Sequence, residues 1–254
     1  MKHIVAFSGG LASSVTAKIV ADKYPKDTVL LYHATNTEPP DNDRFRYEVA
    51  NYIGLPITED SDGRDIWQLF EDVKYLGNNR RDPCSRIMKR ERSMKYAKNN
   101  QPCILYYGYT YGLTPKKHEG DRAQRTFARY LVEGINTAFP LLEQKITKEE
   151  CEHRVVNCWD IAKPQMYEWA DHANCVPCIK GKKAYWGLIN MFCRTAWVRA
   201  VEAERVHGHT IFTQAGSLQE EEENCLTLAK KYLDKKRQKD DQGSLFEFPC
   251  ECAI

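Results

Sequence analysis

Short apolar runs alternate with amphipathic stretches along the first half of the chain. Ile4-Val5-Ala6-Phe7 is a continuous apolar run that predicts a strand, and Val15, Ile19 and Val20 predict a helix from Leu11 to Tyr24. Thr28 to His33 reads as a second, buried strand, followed by the loop Asn36-Thr37-Glu38-Pro39-Pro40. Asp41 is placed to N-cap a helix that carries Phe45, Val49 and Tyr52 and is closed by Gly54. Pro56 to Thr58 then forms a short third strand, and Cys103 to Tyr107 a further central one that ends in Gly108-Tyr109-Thr110. Strand and helix at this rhythm predict a parallel sheet with right-handed crossovers. A ligand of such a sheet sits at the carboxyl ends of its strands.

The remainder is less regular. Ile66, Leu69, Phe70 and Val73 keep a helical spacing until Gly77-Asn78-Asn79, and helical pattern resumes from Pro83 to Lys98 and again over 122–131. Thr147 with Glu150 three residues on has the form of a capping box. Short helices are expected around Tyr167 and from Lys182 to Cys193; the tail from Gln219 is acidic, then basic through Lys239. The expected fold is α/β, Rossmann-like and doubly wound, with a mainly parallel sheet. Its division is into a nucleotide-binding domain over 1–145 and a small helical, cysteine-bearing subdomain over 146–254.

Chemistry enters first at the end of strand one. Ser8-Gly9-Gly10-Leu11-Ala12-Ser13-Ser14 joins that strand to its helix, so free backbone N–H groups converge where the helix dipole favours an anion. Gly9 and Gly10 let the backbone approach phosphate oxygens, and Ser8, Ser13 and Ser14 add hydroxyls. The spacing is neither that of the Walker loop nor that of the dinucleotide fingerprint. An ordinary glycine turn is the plain alternative.

Charge narrows the partners. Charged residues make up 28% of the chain and the formal net charge is +2, so no global field recruits nucleic acid or membrane. One local run, Arg80, Arg81, Arg86, Lys89, Arg90, Arg92 and Lys95, suits a polyanion, or else forms a solvated helix face. The N-terminus enters a strand at once and no run of about 18 apolar residues occurs, so a cytoplasmic protein without membrane contact is expected.

Ten cysteines in such a chain point to metal or redox chemistry rather than a disulfide scaffold. Cys175-Val176-Pro177-Cys178 can chelate one soft metal or cluster, and Lys180, Lys182 and Lys183 beside it favour thiolate. Cys84, at a helix start after a basic loop, is expected to have its thiol pKa lowered by the dipole and to serve as third ligand or nucleophile. Cys103, Cys151, Cys158, Cys193 and Cys225 lie in apolar or helical patterns and read as buried thiols. Three thiolates leave one iron of a 4Fe-4S cluster open to sulfide or substrate; zinc would need a fourth ligand that the chain does not clearly offer.

Four of these features resemble one family. The Ser8–Ser13 loop, Asn36-Thr37-Glu38 after strand two, Cys84 with Lys89 five residues on, and Phe139-Pro140-Leu141 leading to Cys175-x-x-Cys178 are similar to the phosphoadenosine phosphosulfate (PAPS) reductase-like branch of the PP-loop, adenine-nucleotide α-hydrolase superfamily. The resemblance implies a nucleotide site at Ser8, Gly9, Gly10, Ser13, Ser14, Asn36, Thr37 and Glu38, and a metal site at Cys84, Cys175 and Cys178. Ser85 and Met88 stand where adenylyl-sulfate reductases resemble Cys and Arg, which favours three ligands over four. Glu251-Cys252-Ala253-Ile254 is similar to the Glu-Cys-Gly tail of those reductases, without its Gly and His.

Two activities follow as expectations. In the first, ATP with Mg²⁺ is cleaved to AMP and pyrophosphate to activate an acceptor for sulfur transfer, with Lys89 and Arg125 as phosphate partners. In the second, Cys252 attacks a sulfonucleotide and a thiol reductant resolves the thiosulfonate, with Cys250 as a resolving thiol. A non-catalytic nucleotide-binding protein with structural zinc is the third reading. Expected partners are an adenine nucleotide, an acceptor that is a small molecule or nucleic acid, and a sulfur donor or reductant; a homodimer is left open.

Overall fold

The computed structural model describes residues 1–78, 80–114 and 117–241. One sheet is formed by β1 (Lys2–Ala6), β2 (Thr28–Tyr32), β3 (Ile57–Glu59), β4 (Cys103–Tyr106) and β5 (Asn136–Ala138), in the order β3-β2-β1-β4-β5. Every neighbouring pair is parallel, with Ile4 of β1 in register with Val29 of β2 and Leu105 of β4. The strand order reverses between β1 and β4, and in open parallel sheets the ligand crevice lies outside the carboxyl ends at that reversal. The Ser8 loop follows β1 directly. The fifth strand is a structural addition: three residues, one of them Asn, are too few for a period to show.

Side-chain alternation along these strands makes the fold doubly wound. Val5 and Leu30 face one core with Leu11, Val15 and Val20 of α1 (Leu11–Lys23) and Phe45 and Val49 of α2 (Pro40–Ile53). Ile4, Leu31 and Leu105 face the other side. There they meet Ala97 and Tyr130 from the helices that precede and follow β4.

Helix ends follow local chemistry. α2 begins two residues earlier than expected, at Pro40, whose missing N–H costs nothing at a first helical position; its N-cap is Pro39 in place of Asp41. The expected cap, Asp41, instead accepts from Arg44 and from the Gln165 N–H. Gly54 closes α2 in the left-handed region at φ 80°. α3 (Ile66–Asp72) is capped by Asp65, and the helical run 83–99 is three segments: α4 (Pro83–Ser85), a π-helical stretch Arg86–Glu91, and α5 (Arg92–Asn99).

After β4 come α6 (Gly120–Val132), α7 (Pro140–Glu143) and α8 (Lys148–His153). Thr147 Oγ1 accepts from the Glu150 N–H as expected, but the Glu150 carboxylate pairs with Arg154, so only half of the box forms. The expected short helix at Tyr167 is a 3-10 turn over Gln165–Glu168, and α9 (Lys183–Phe192) fulfils the expectation that follows it. α10 (Arg194–His207) and α11 (Glu222–Asp241) complete the described chain; their polar surfaces hid both from the apolar pattern.

The apolar cores run across residue 145. Cys151, Val155, Ile161 and Tyr167 pack with α1 and α2 against the sheet, whereas Ile66, Leu69, Phe70 and Met88 pack with Ile179, Trp186, Trp197 and Cys225. The second core therefore joins the irregular segment after β3 to the C-terminal helices. Of the cysteines expected as buried thiols, Cys103, Cys151 and Cys225 are free and buried; Cys193 is free but half-buried at the end of α9, and Cys158, half-buried at the end of a helical segment, is disulfide-bonded and so not a thiol.

Gly187 of α9 faces α11 so closely that a Cβ would clash with the Cys225 carbonyl. A backbone carbonyl cannot swing aside, so Gly187→Ala should lose about 3 kcal/mol, the upper end of the usual cost of overpacking. Urea unfolding checks this; an unchanged midpoint would show that the two helices can part freely.

Candidate functional site

The loop after β1 is held by its own serines. Gly9 has φ +75°, and Gly10 is extended and caps α1. Ser13 Oγ donates to the Gly10 carbonyl at 2.9 Å and accepts from the Gly10 N–H and from Ser8 Oγ, both at 3.2 Å. Ser14 Oγ also donates to the Gly10 carbonyl, at 3.0 Å, and its side chain is buried. Ser13 and Ser14 therefore shape the turn instead of presenting hydroxyls to a ligand, while Ser8 is exposed at its tip. Tyr167 OH accepts from the Leu11 N–H at 3.4 Å. From the other side of the strand reversal, Gly108 after β4 comes so near that a Cβ would lie 2.7 Å from the Ala12 carbonyl oxygen.

The loop after β2 is organised by one carboxylate. Asn36 adopts φ 54°, a left-handed conformation that its side chain supports by donating to the Gly63 and Arg64 carbonyls, each at 3.2 Å. Glu38 then turns back: Oε2 accepts the Thr35 and Thr37 N–H groups at 3.2 and 3.3 Å, and Oε1 accepts the Thr35 hydroxyl at 2.7 Å. Burial alone would raise this carboxyl, but Lys89 and the Thr35 hydrogen bond outweigh it and hold it below the ordinary 4.5.

Cys175 docks onto this carboxylate. Its Sγ lies 2.9 Å from Thr35 Oγ1, 3.6 Å from Glu38 Oε1 and 3.8 Å from Lys89 Nζ. The Val176 N–H donates to the Thr37 carbonyl at 2.8 Å, so the Cys-x-x-Cys turn is stitched to the β2 loop by backbone as well. Tyr185 OH clasps the turn from within, donating to the Cys175 carbonyl at 2.8 Å and accepting from the Cys178 N–H at 3.0 Å.

Lys89 reaches the same place from the π-helical stretch. Hydrogen bonding to the fifth residue widens the turn, and such stretches recur at functional sites. Cys84 and Lys89, five apart, thereby face one cluster, and Cys84 senses Cys175 and Cys178 electrostatically. Burial first, and then those two sulfurs, push the Cys84 thiol up to about 12. This reverses the expected lowering: α4 has only three residues, so it brings little dipole against that burial. Burial likewise raises the Cys178 thiol, with Cys175 adding to it. Burial opposes charge on Lys89, yet Cys175 and Glu38 more than compensate and keep its ammonium firmly protonated.

Other expected contributors are engaged elsewhere. Lys180 pairs with Asp82 while still lending positive charge to Cys178, whereas Lys183 pairs with Glu221. The basic run is largely neutralised in place, by Arg86–Glu91, Arg90–Asp82, Arg92–Asp60 and Lys89–Glu38 pairs, which leaves Arg80, Arg81 and Lys95 as its exposed cations outside these pairs. Arg125 lies on α6 and donates to its own helix at the Asp121 carbonyl, 3.2 Å away, with no hydrogen bond to the Ser8 loop. Cys250 and Cys252 lie outside the described residues. Among the described residues no three His, Cys, Asp or Glu side chains are grouped closely enough to cage a single ion.

Ser8 and Cys84 thus belong to one edge of the sheet, the first after β1 and the second reached through the β2 loop. Thr35, Tyr167, Tyr185 and Arg46, which packs against Gly9, went unmarked in the sequence. No motif flags them, since each acts through a contact made across the fold.

Residues 2–109 match the phosphoadenosine phosphosulfate reductase domain. The match covers less than half of the chain. It carries β1 to β4, the Ser8 loop, Asn36-Thr37-Glu38, Cys84 and Lys89, and stops before the Cys-x-x-Cys turn. A solved structure described as a predicted subunit of tRNA methyltransferase from Methanocaldococcus jannaschii is 20% identical, with a TM-score of 0.39 over 60% of this chain and 74% of that one. No curated protein matches the chain. No helix among the described residues is long and apolar enough to cross a membrane.

The Glu38 network makes a pH prediction. Because the folded carboxyl is depressed, its stabilisation is fully present above about pH 4.5 and is lost as the pH falls through the folded value. Glu38→Gln should therefore be less stable than the parent at pH 7, with the gap closing toward pH 3. A gap that stayed constant in urea unfolding across this range would show that the charge of Glu38 is not what holds the loop.

Proposed function

We propose that the chain is an adenine-nucleotide-cleaving enzyme that converts ATP to AMP and pyrophosphate to activate an acceptor for sulfur transfer. The observation that carries this reading is that the helix start after β1 and the thiols docked on the loop after β2 lie at the same, carboxyl end of one parallel sheet. The family match over residues 2–109 supports nucleotide binding by the same span.

The phosphate chain lies on the Ser8–Gly10 turn, where the α1 N-terminus supplies backbone donors and favourable potential. Mg²⁺ shields the phosphates when bound. An acceptor oxygen attacks the α-phosphorus, the bond to the bridging oxygen breaks, and pyrophosphate leaves. Positioning and fixed charge supply the catalysis, with Lys89 as the cation at the edge of the cluster. Sulfur then displaces AMP from the activated acceptor.

Cys84, Cys175 and Cys178 are the residues to hold an iron–sulfur centre. What supports this is the chemistry of the donor set: three thiols from two segments share one electrostatic neighbourhood with a protonated lysine. When bound, such a centre with three protein ligands offers one open iron for sulfide or substrate. Lys89 holds its proton beside Cys175, and Glu38 and Thr35 orient that sulfur.

The same match favours a second reading, sulfonucleotide reduction with Cys252 as nucleophile. Product analysis separates the two. Pyrophosphate release from ATP–Mg²⁺ by the purified chain is the expected result, and reductant-dependent sulfite from adenylyl sulfate without pyrophosphate release would replace it with the second. Anaerobically prepared protein should be brown, and Cys175→Ser should lose most of that absorbance. Colourless protein with stoichiometric zinc would end the cluster assignment.

A further inference from the structure

The glycine turn that should cradle a polyphosphate contains no cation of its own: Ser8 to Ser14 are all neutral. The Walker loop answers the same need with a lysine inside the loop. Lys89 is committed to Glu38 and Cys175, and Arg125 folds back on its own helix. The counter-charge must therefore come from an element packed against the turn.

Arg46 of α2 is that element. Its side chain is 5% exposed and runs beneath Gly9, with Cδ 2.9 Å and Nη1 3.5 Å from where a Gly9 Cβ would stand. The guanidinium carbon lies 3.7 Å from the centre of the Tyr32 ring, at the end of β2, and Nη2 pairs with Asp43. Nη1 is buried and has no hydrogen-bond partner. One turn earlier on the same helix, Asn42 Oδ1 is also buried without a partner.

A buried guanidinium N–H left unpaired is costly, and a residue is normally kept in that state only when something completes it. We infer that Arg46 is a phosphate-binding residue whose free Nη1 donates to an oxygen of the nucleotide phosphate chain held on the Gly9–Gly10 turn. Gly9 is the residue that permits it. Its missing Cβ lets the arginine stem pass under the turn, and its φ of +75° aims the loop over the guanidinium. Asp43, half-exposed, offsets part of the charge in the empty site and thereby weakens anion binding. The inference rests on the nucleotide reading above but adds to it the source of the positive charge.

Calorimetric titration of the full chain with ATP–Mg²⁺ and with inorganic tripolyphosphate tests it. Arg46→Met keeps the stem against Gly9 and Tyr32 but removes the donor, so both ligands should weaken by about tenfold or more, the usual worth of a charge-assisted bond. An equal loss for the two ligands locates the contact on phosphate, and Arg46→Lys should recover part of it. Asp43→Asn should tighten both by about threefold, the scale of a partly exposed ion pair. Tripolyphosphate binding to Arg46→Met at parental affinity would overturn the assignment and leave Arg46 and Asn42 as a water-bridged packing pair. Should Arg46→Met fail to fold, Asp43→Asn decides, and unchanged affinity there overturns it equally. If the parent chain binds neither ligand, the nucleotide reading itself falls; binding by the parent with no effect of either variant removes Arg46 alone.

Discussion

A buried carboxylate at the end of a parallel strand has to be satisfied, and in this protein its satisfaction ties the two halves of the chain together. Glu38 takes two backbone N–H groups and a hydroxyl from its own loop, then a lysine from the π-helical stretch and a thiol from the C-terminal region. Each partner is brought by a different segment. Without Glu38, Lys89 would face the cysteines unpaired, and the Cys-x-x-Cys turn would keep its backbone contact to Thr37 and the Thr35 hydroxyl against Cys175 but lose the carboxylate that orders both. An interaction that joins so many polar groups in a low-dielectric setting makes the site all-or-nothing: satisfied it is rigid, and with one member missing the others become liabilities.

The sheet explains why this happens where it does. In a parallel sheet all carboxyl ends lie on one edge, so the loops after β1, β2 and β4 crowd together at the reversal of strand order. Close approach there is enabled by absent side chains: Gly108 against α1 and Gly9 over Arg46 are both contacts that a Cβ would forbid. The β1 loop contributes dipole and backbone donors, and the β2 loop contributes charge. Sulfur reaches the edge through a second apolar core in which Met88, next to Lys89, packs with Trp186 and Trp197 from the C-terminal helices. Packing in that core therefore sets the position of Cys175 as firmly as the hydrogen bonds do.

Local pattern carried the central architecture. Four of the five strands, the glycine turn and the helix stop at Gly54 are written in runs of neighbouring residues, because strand burial and turn conformation depend on residues close in sequence. β5 and α10 were illegible for the same reason turned around: three half-polar residues and a helix with scattered polar faces carry no period of their own. The cysteine grouping was legible only as types and spacing. The direction of the Cys84 shift was not, since burial is a property of the folded surroundings and overrode the dipole of a three-residue helix.

The sequence by itself determined the parallel α/β plan, the glycine turn and helix start after β1 and the richness in cysteine, because each follows from the identity of adjacent residues and the conformations they permit. Only the tertiary structure decided which charges are free and which are already paired, that Thr35 and Glu38 hold Cys175, and that Arg46 lies beneath Gly9. Those outcomes depend on distances between segments far apart along the chain. Such distances are set by packing of whole helices against the sheet, and no local pattern encodes them.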